Sequence, residues 1–122
     1  MTEVLESFAA AVDRLGEALA APESDLNRDA AIQRFEFSFE LSWKAIQKAL
    51  RGEGLDAASP KSCFREAYRL GWIQEEEPWL AMLEDRNLTR HTYDAKLAES
   101  VYRRLPGHLV PLRDLATRLG AL

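Results

Sequence analysis

Apolar residues recur every three or four positions along most of the chain, which is the spacing of an amphipathic α-helix. The first stripe follows Thr2, which is predicted to cap a helix. Pro22, Ser24 and Asp25 are predicted to end that helix. Its apolar positions are Val4, Leu5, Phe8, Val12, Leu15 and Leu19.

A second, aromatic-rich helix is predicted from about Arg28 to Arg51. Phe37 adds apolar surface outside its main stripe, so this helix is expected to be the central one. Gly52 and Gly54 are predicted to terminate it. Its stripe consists of Ile32, Phe35, Phe39, Trp43, Ile46 and Leu50.

Three further helices are predicted from their start signals. Ser59 is a predicted N-cap, and Pro60 suits the first helical position. A fourth helix is predicted to begin near Glu76-Glu77-Pro78. Asp94 is predicted to cap the last helix, which Pro106-Gly107 should kink or split. The fourth helix is predicted to bury Trp79, Leu80, Met82 and Leu83.

The predicted elements define a fold class. No segment alternates apolar and polar residues for long enough to predict a β-strand. With 122 residues, 47% apolar and 30% charged, the chain has the composition of one globular domain, predicted to span residues 1–122. The sequence therefore predicts an all-α fold, an antiparallel four-helix bundle of four to five helices with short loops and a kinked last helix.

Composition and charge argue against several classes of protein. The net charge of −4 disfavours broad electrostatic capture of nucleic acid but leaves open a local basic patch. Cys63 is the only cysteine and is predicted to be a buried structural thiol. Acidic residues near the N-terminus and the lack of a long apolar run predict a cytoplasmic protein without membrane contact. No phosphate-binding loop or metal-binding motif occurs, so neither a cofactor nor a metal is predicted. His108 follows Pro106-Gly107 and is predicted to lie on the surface.

The densest polar chemistry lies between Arg86 and Tyr93, where Leu88 is the only aliphatic residue. One interpretation is a polar junction between two helices. The other is a site that acts on phosphate esters, because histidine exchanges protons near neutral pH and arginine offers a planar charged fork that matches phosphate oxygens. Cleavage of a phosphodiester needs both a proton carrier and a clamp on developing negative charge. Composition alone leaves both interpretations open.

The spacing of Arg86 and His91 sets a geometric condition. Five positions apart, they would lie about 140° from each other around a regular helix. They converge only if the helix breaks near 87–89 or if the long arginine side chain wraps round. One histidine also cannot easily serve as acid and base on opposite sides of one phosphorus atom. A two-fold dimer that faces two copies of this segment would supply both groups, so a homodimer is predicted.

The pattern Arg86-Asn87-x3-His91 resembles the Arg-x4-His signature of the HEPN superfamily of small helical bundles. Three longer segments narrow this resemblance: FEFSFELSWK at 35–44, SPK at 59–61 and WLAMLEDRN at 79–87. Taken together, the chain from about Phe8 to Leu115 resembles the nucleotidyltransferase substrate-binding proteins, close relatives of the HepT toxins.

This resemblance implies a homodimeric helical bundle that pairs with a minimal nucleotidyltransferase as a toxin–antitoxin system. In the HepT branch the implied activity is metal-independent cleavage of RNA, in a cleft between two subunits. Arg86 would hold the scissile phosphate, and His91 would move protons. Asn87 would orient the loop or contact the substrate, and Arg90 would add affinity for phosphate.

Tyr93 completes the pattern Arg-x4-His-x-Tyr. The resemblance implies that the nucleotidyltransferase attaches adenylate to this tyrosine (AMPylation) and so silences the toxin. The residue types alone also allow a half-buried tyrosine with a locally bonded hydroxyl. Two other functions stay open: a non-catalytic subunit that presents a substrate to the nucleotidyltransferase, and a purely structural dimer.

Overall fold

Five α-helices and one short 3₁₀-helix make up the computed structural model, which describes residues 2–122. Within those residues there is no β-strand, so the prediction of an all-α helical bundle is confirmed. The cap predicted at Thr2 lies outside the described side chains, which begin at residue 3. The helices are α1 (Thr2–Ala20), α2 (Asp25–Gly52), α3 (Pro60–Arg69), α4 (Glu77–Leu88) and α5 (Ala95–Gly120), with the 3₁₀-helix at Thr89–His91 between α4 and α5.

The three long helices α1, α2 and α5 pack against one another, and α3 and α4 close the bundle against α2. Buried aromatic rings connect these elements. The ring centroids of Phe39 on α2 and Phe64 on α3 lie 5.8 Å apart, and those of Phe64 and Trp79 on α4 lie 5.1 Å apart. These ring contacts attach α4 to the centre of the bundle. Helix α4 then leads into the segment from Arg86 to Tyr93.

Side-chain caps set the starts of three helices. Ser59 caps α3 in a reciprocal arrangement with Ser62, and Asp94 caps α5 by accepting hydrogen bonds from two backbone N–H groups, so both predicted caps are confirmed. Ser24 accepts a hydrogen bond from the backbone N–H of Asn27 and so caps α2. Helix α2 therefore begins at Asp25, ahead of its predicted start.

Helix α5 is continuous from Ala95 to Gly120, so the chain does not split at Pro106 as the sequence allowed. A proline inside a helix removes one backbone hydrogen bond and costs about 3 kcal/mol. The apolar face continues on both sides of the proline, and Leu105, Leu109 and Leu112 are all buried. Burial of this face holds the helix together through the proline.

Two predictions, that Leu80 is buried and that His108 is exposed, were wrong. Leu80 is half-exposed, since it lies off the face on which Trp79 and Met82 are buried. His108 is only 8% exposed, because the unbroken α5 carries it on the same inward side as Leu105 and Leu112. The prediction that His108 lies on the surface is therefore wrong.

Cys63 is buried, as predicted, and burial raises the pKa of its thiol to about 11. This cysteine is therefore a protonated core residue at neutral pH. In residues 2–122, no helix combines the length and the apolar character that crossing a membrane requires.

Candidate functional site

The segment that follows α4 changes from α-helix to 3₁₀-helix directly after Leu88. Threonine hydroxyls stabilise this change by donating to backbone carbonyls: Thr89 Oγ1 to the carbonyl of Arg86 at 2.6 Å, and Thr92 Oγ1 to that of Thr89 at 3.1 Å. A break near 87–89 was one of the two conditions under which Arg86 and His91 could converge, and the α-helix does end there, at Leu88.

The Arg86 guanidinium lies at the boundary between α4 and α2. Its Nη1 forms an ion pair with the Glu40 carboxylate, and its Nε donates to Asn87 Oδ1 at 3.2 Å. Its Cζ atom lies 5.1 Å from the ring centroid of Phe39, which is a cation–π contact. The Arg86 side chain is 25% exposed, so the guanidinium is held in place and still reachable from solvent.

His91, the last residue of the 3₁₀-helix, and Tyr93 form a second pair. The Tyr93 hydroxyl lies 3.2 Å from His91 Nδ1, and the two rings meet edge to face. Tyr93 is 84% exposed, so the alternative of a half-buried tyrosine is wrong. When the hydroxyl donates to Nδ1, the neutral imidazole carries its proton on Nε2. The second ring nitrogen is then free to exchange a proton with a substrate.

The predicted site residues thus form two pairs, Arg86 with Asn87 and His91 with Tyr93. In the described part of the chain, no hydrogen bond joins one pair to the other. Arg90 is exposed between them, and its side chain forms no hydrogen bond or ion pair among residues 3–122. Among those same residues, no cluster of three or more histidine, cysteine or acidic side chains has the geometry to hold a metal ion.

A buried polar cluster directly beneath the site was missed by sequence reasoning. Asp85, 3% exposed, accepts three hydrogen bonds from Arg104: one from Nη2 at 2.7 Å and two from Nε, at 2.9 and 3.2 Å. His108 Nε2 lies 2.7 Å from the same carboxylate, and its ring stacks on Phe35. Asp85 fixes the last turn of α4 to α5, one residue before Arg86. Its burial could have been predicted from the helical spacing of three residues that places Asp85 on the same face as Trp79 and Met82.

The charges of this cluster compensate one another. Burial raises the pKa of the Asp85 carboxyl, but the hydrogen bonds and charges of Arg104 and His108 outweigh burial and hold that pKa below its ordinary value. The hydrogen bond with Asp85 in turn raises the pKa of the Arg104 guanidinium. Asp85 is therefore an ionised anchor at neutral pH.

A groove of about 670 Å³ lies elsewhere on the molecule, between the loop that joins α3 to α4 and the C-terminal half of α5. Trp72, Pro78 and Val110 are among the residues that line it. None of the predicted site residues borders this groove.

Known proteins with similar sequences match over most of the chain. Residues 3–121 match the family described as "Nucleotidyltransferase substrate binding protein like". A Haemophilus influenzae protein named "Probable ribonuclease HepT" is 38% identical over 94 residues, which cover 73% of this chain. The chain spans 64% of the length of that relative, which is less than two thirds.

Two solved structures share the fold. A crystal structure of a Thermus thermophilus protein matches with a TM-score of 0.86 and 42% identity, covering 92% of this chain and 98% of that one. A Haemophilus influenzae protein matches with a TM-score of 0.87 and 31% identity, covering 95% of this chain and 98% of that one. Its structure is described as revealing the fold of a substrate binding domain of a nucleotidyltransferase. Because the family match extends over residues 3–121, this chain belongs to the nucleotidyltransferase substrate binding protein-like family.

Proposed function

We propose that this protein is the toxin of a toxin–antitoxin pair, a HepT-like ribonuclease antagonised by a minimal nucleotidyltransferase. One observation carries the proposal: His91 and Tyr93 are exposed a few residues beyond Arg86, whose guanidinium is reachable from solvent. The relative named as a ribonuclease supports the same class of activity, and the family description supports a nucleotidyltransferase as partner.

In the proposed reaction, the 2′-hydroxyl of RNA attacks the adjacent phosphorus and the bond to the 5′-oxygen of the next nucleotide breaks. One imidazole takes the proton of the attacking hydroxyl, and a second imidazole donates a proton to the leaving oxygen. Arg86 stabilises the charge that develops on the phosphate oxygens, and Arg90 adds affinity for the RNA backbone. The products are a 2′,3′-cyclic phosphate and a free 5′-hydroxyl.

A homodimer is part of this proposal, because each protomer offers one exposed histidine at the site. A two-fold axis beside the segment from Arg86 to Tyr93 would place two imidazoles and two guanidinium groups in one cleft. Asn87 supports the arrangement by accepting the hydrogen bond from Arg86 Nε.

Silencing is proposed to act on Tyr93. Its hydroxyl oxygen would attack the α-phosphorus of ATP bound to the nucleotidyltransferase, diphosphate would leave, and the phenolic proton would pass to a base. The product carries an adenylate group within contact distance of His91, since the two side chains are 3.2 Å apart before modification. A bulky anion there would block the imidazole and repel RNA.

The ribonuclease is tested with the purified protein and in cells. Wild type should cleave single-stranded RNA in the presence of EDTA and should arrest growth when expressed without its partner. His91→Ala should lower the cleavage rate by about a hundredfold or more, because it removes the proton carrier. Arg86→Ala should lower the rate as well, whereas Arg103→Ala, on the exposed face of α5, should not. A folded, dimeric wild type that neither cleaves RNA nor slows growth would contradict the proposal.

A second candidate is a non-catalytic subunit that presents a substrate to the nucleotidyltransferase. The family description and the similar Haemophilus influenzae structure favour it, and the net charge of −4 is low for a free-standing RNA-binding protein. This function predicts that His91→Ala and Arg86→Ala still bind the partner, and that no preparation cleaves RNA.

A further inference from the structure

Both oxygens of the Glu40 carboxylate have a partner. Oε1 pairs with Arg86 Nη1, and Oε2 accepts a hydrogen bond from the indole Nε1 of Trp43 at 3.1 Å. Trp43 lies one turn further along α2, so the carboxylate is held between its own helix and α4. Glu40 is therefore a fixed anion beside the arginine and not a freely rotating surface side chain.

The Arg86 guanidinium is restrained on three sides by residues of the same protomer. Glu40 occupies Nη1, Asn87 occupies Nε, and the ring of Phe39 covers one face. Among residues 3–122, nothing hydrogen-bonds to Nη2. A guanidinium has five N–H donors, and those that remain on Nη1 and Nη2 form the fork that binds two phosphate oxygens.

We propose that Glu40 is the positioning residue of the Arg86 clamp: its carboxylate turns the remaining donors of the guanidinium toward the phosphate of the substrate. This inference rests on the proposed function, because it names RNA phosphate as what the fork receives. Glu40 acts through Arg86 and does not itself touch the substrate.

Positioning fits the contacts better than masking of the arginine does. The Glu40 side chain is 35% exposed, and an ion pair at that exposure is weak, so a phosphate can share the guanidinium without a large penalty. The gain is orientation, since a reacting group held in its productive geometry does not have to be ordered in the transition state. The Glu40 charge also repels the RNA backbone, so binding and turnover should respond in opposite directions when that charge is removed.

The test uses Glu40→Gln, which keeps an oxygen that accepts from Trp43 and removes the charge that pairs with Arg86. Glu36→Gln is the matched control, one turn earlier on α2 with the same change in charge and without a hydrogen bond to Arg86 in the described chain. For RNA cleavage, Glu40→Gln should lower kcat about tenfold with an unchanged or lower KM. Glu36→Gln should leave kcat within about twofold of wild type.

A second measurement reports the arginine directly. In ¹H–¹⁵N spectra of the dimer, the side-chain signals of Arg86, assigned by their loss in Arg86→Lys, should show slowed rotation of the guanidinium. Glu40→Gln should abolish that slow rotation, and Glu36→Gln should preserve it. A 2′-deoxy oligonucleotide, which cannot be cleaved by the proposed route, should shift the Arg86 signals in wild type.

These outcomes separate the two proposals. Unchanged Arg86 signals in Glu40→Gln, or a kcat equal to that of Glu36→Gln, would overturn the role of Glu40. A rise in kcat would overturn it too, because it would identify Glu40 as a mask. If wild type cleaves no RNA, the ribonuclease fails, and the positioning of Arg86 is then decided by the spectra and by the oligonucleotide titration alone.

Discussion

The Asp85 carboxylate is buried and ionised because Arg104 and His108 face it from the neighbouring helix. Its lowered pKa means that the folded protein binds this proton less readily than the unfolded chain does. The interaction therefore stabilises the fold above the ordinary aspartate pKa of about 3.9, and that contribution is lost as the pH falls through the lowered folded-state pKa.

Asp85→Asn should lower the free energy of unfolding by about 2 to 4 kcal/mol at pH 7, because the donors of Arg104 and His108 lose a charged acceptor. The lower half of that range is expected, since 44% of the Arg104 side chain is exposed and water can solvate it. Urea denaturation at pH 7 measures the loss. Repeated at falling pH, the gap between variant and wild type should shrink below about pH 4.

The control for this prediction is the adjacent acid. Glu84 is exposed, so Glu84→Gln should change the free energy of unfolding by less than about 0.5 kcal/mol. If Asp85→Asn proved as stable as Glu84→Gln, the buried cluster would contribute nothing to the fold, and the anchor beneath Arg86 would have to be sought elsewhere.

Tyr93 is expected to gain adenylate when the protein is co-expressed with the proposed nucleotidyltransferase partner. Exposure alone does not single it out, because Tyr68 is also 47% exposed. What distinguishes Tyr93 is the imidazole of His91 at 3.2 Å, which can accept the phenolic proton. Intact-mass spectrometry should show one or more adenylate units on wild type and on Tyr68→Phe. Tyr93→Phe should show none, and an unchanged mass gain in that variant would rule out this residue as the acceptor.

At the scale of the elements, α5 tolerates Pro106 and Gly107 in its interior because its apolar face is buried on both sides of them. A Cβ added at Gly107 meets no atom within 4 Å. Gly107→Ala should therefore raise the free energy of unfolding by about 0.5 to 1 kcal/mol, since alanine loses less conformational entropy in a helix.

Gly54 provides a control of opposite sign. It has the same free space around it, but its φ of 77° is a conformation that alanine adopts only with strain. Gly54→Ala should destabilise the protein by about 1 kcal/mol in the same urea experiment. If both substitutions shifted stability in the same direction, local backbone conformation would not be what determines stability at these two glycines.

The helices were predictable where their signals are local. Ser59 and Asp94 cap helices through groups within three residues, so the sequence contains all that the caps require. The burial of His108 was not predictable in this way, because it depends on Asp85 on another helix. The expectation of a break at Pro106 also removed His108 from the periodic stripe on which it lies.

In the candidate site too, local features could be predicted from the sequence and long-range contacts could not. The change to a 3₁₀-helix after Leu88 is stabilised by neighbouring threonines, so it is a local feature that the sequence could suggest. The pairing of Arg86 with Glu40 spans 46 positions of the sequence and depends on how α4 packs on α2. A single sequence does not reveal a contact of that kind, since both residues are ordinary charged positions on amphipathic helices.

At the scale of the whole molecule, the proposed RNA cleavage needs two proton carriers, and one protomer offers only one exposed histidine. Acid–base cleavage needs a proton acceptor and a proton donor on opposite sides of the phosphorus atom. His108, the only other histidine, is buried against Asp85 and Phe35, so it cannot supply the second proton carrier. The proposed ribonuclease, in which histidine serves as both acid and base, therefore takes His91 from each of two copies.

Mixed dimers test this requirement. One subunit would be wild type and the other His91→Ala, each with a different affinity tag, so that only mixed dimers survive two purification steps. The activity of these dimers distinguishes independent sites from a shared one. If each protomer carried its own complete site, the mixed dimer would keep half of the wild-type activity. In a shared cleft, the mixed dimer has only one of the two histidines that the reaction needs. Loss of a general acid or base lowers the rate about 10²-fold or more. We expect the mixed dimer to fall far below half of the activity of a doubly tagged wild-type dimer, and to approach that of the His91→Ala homodimer. Half activity would instead make each protomer catalytically independent, and the second proton carrier would then have to be a group other than histidine.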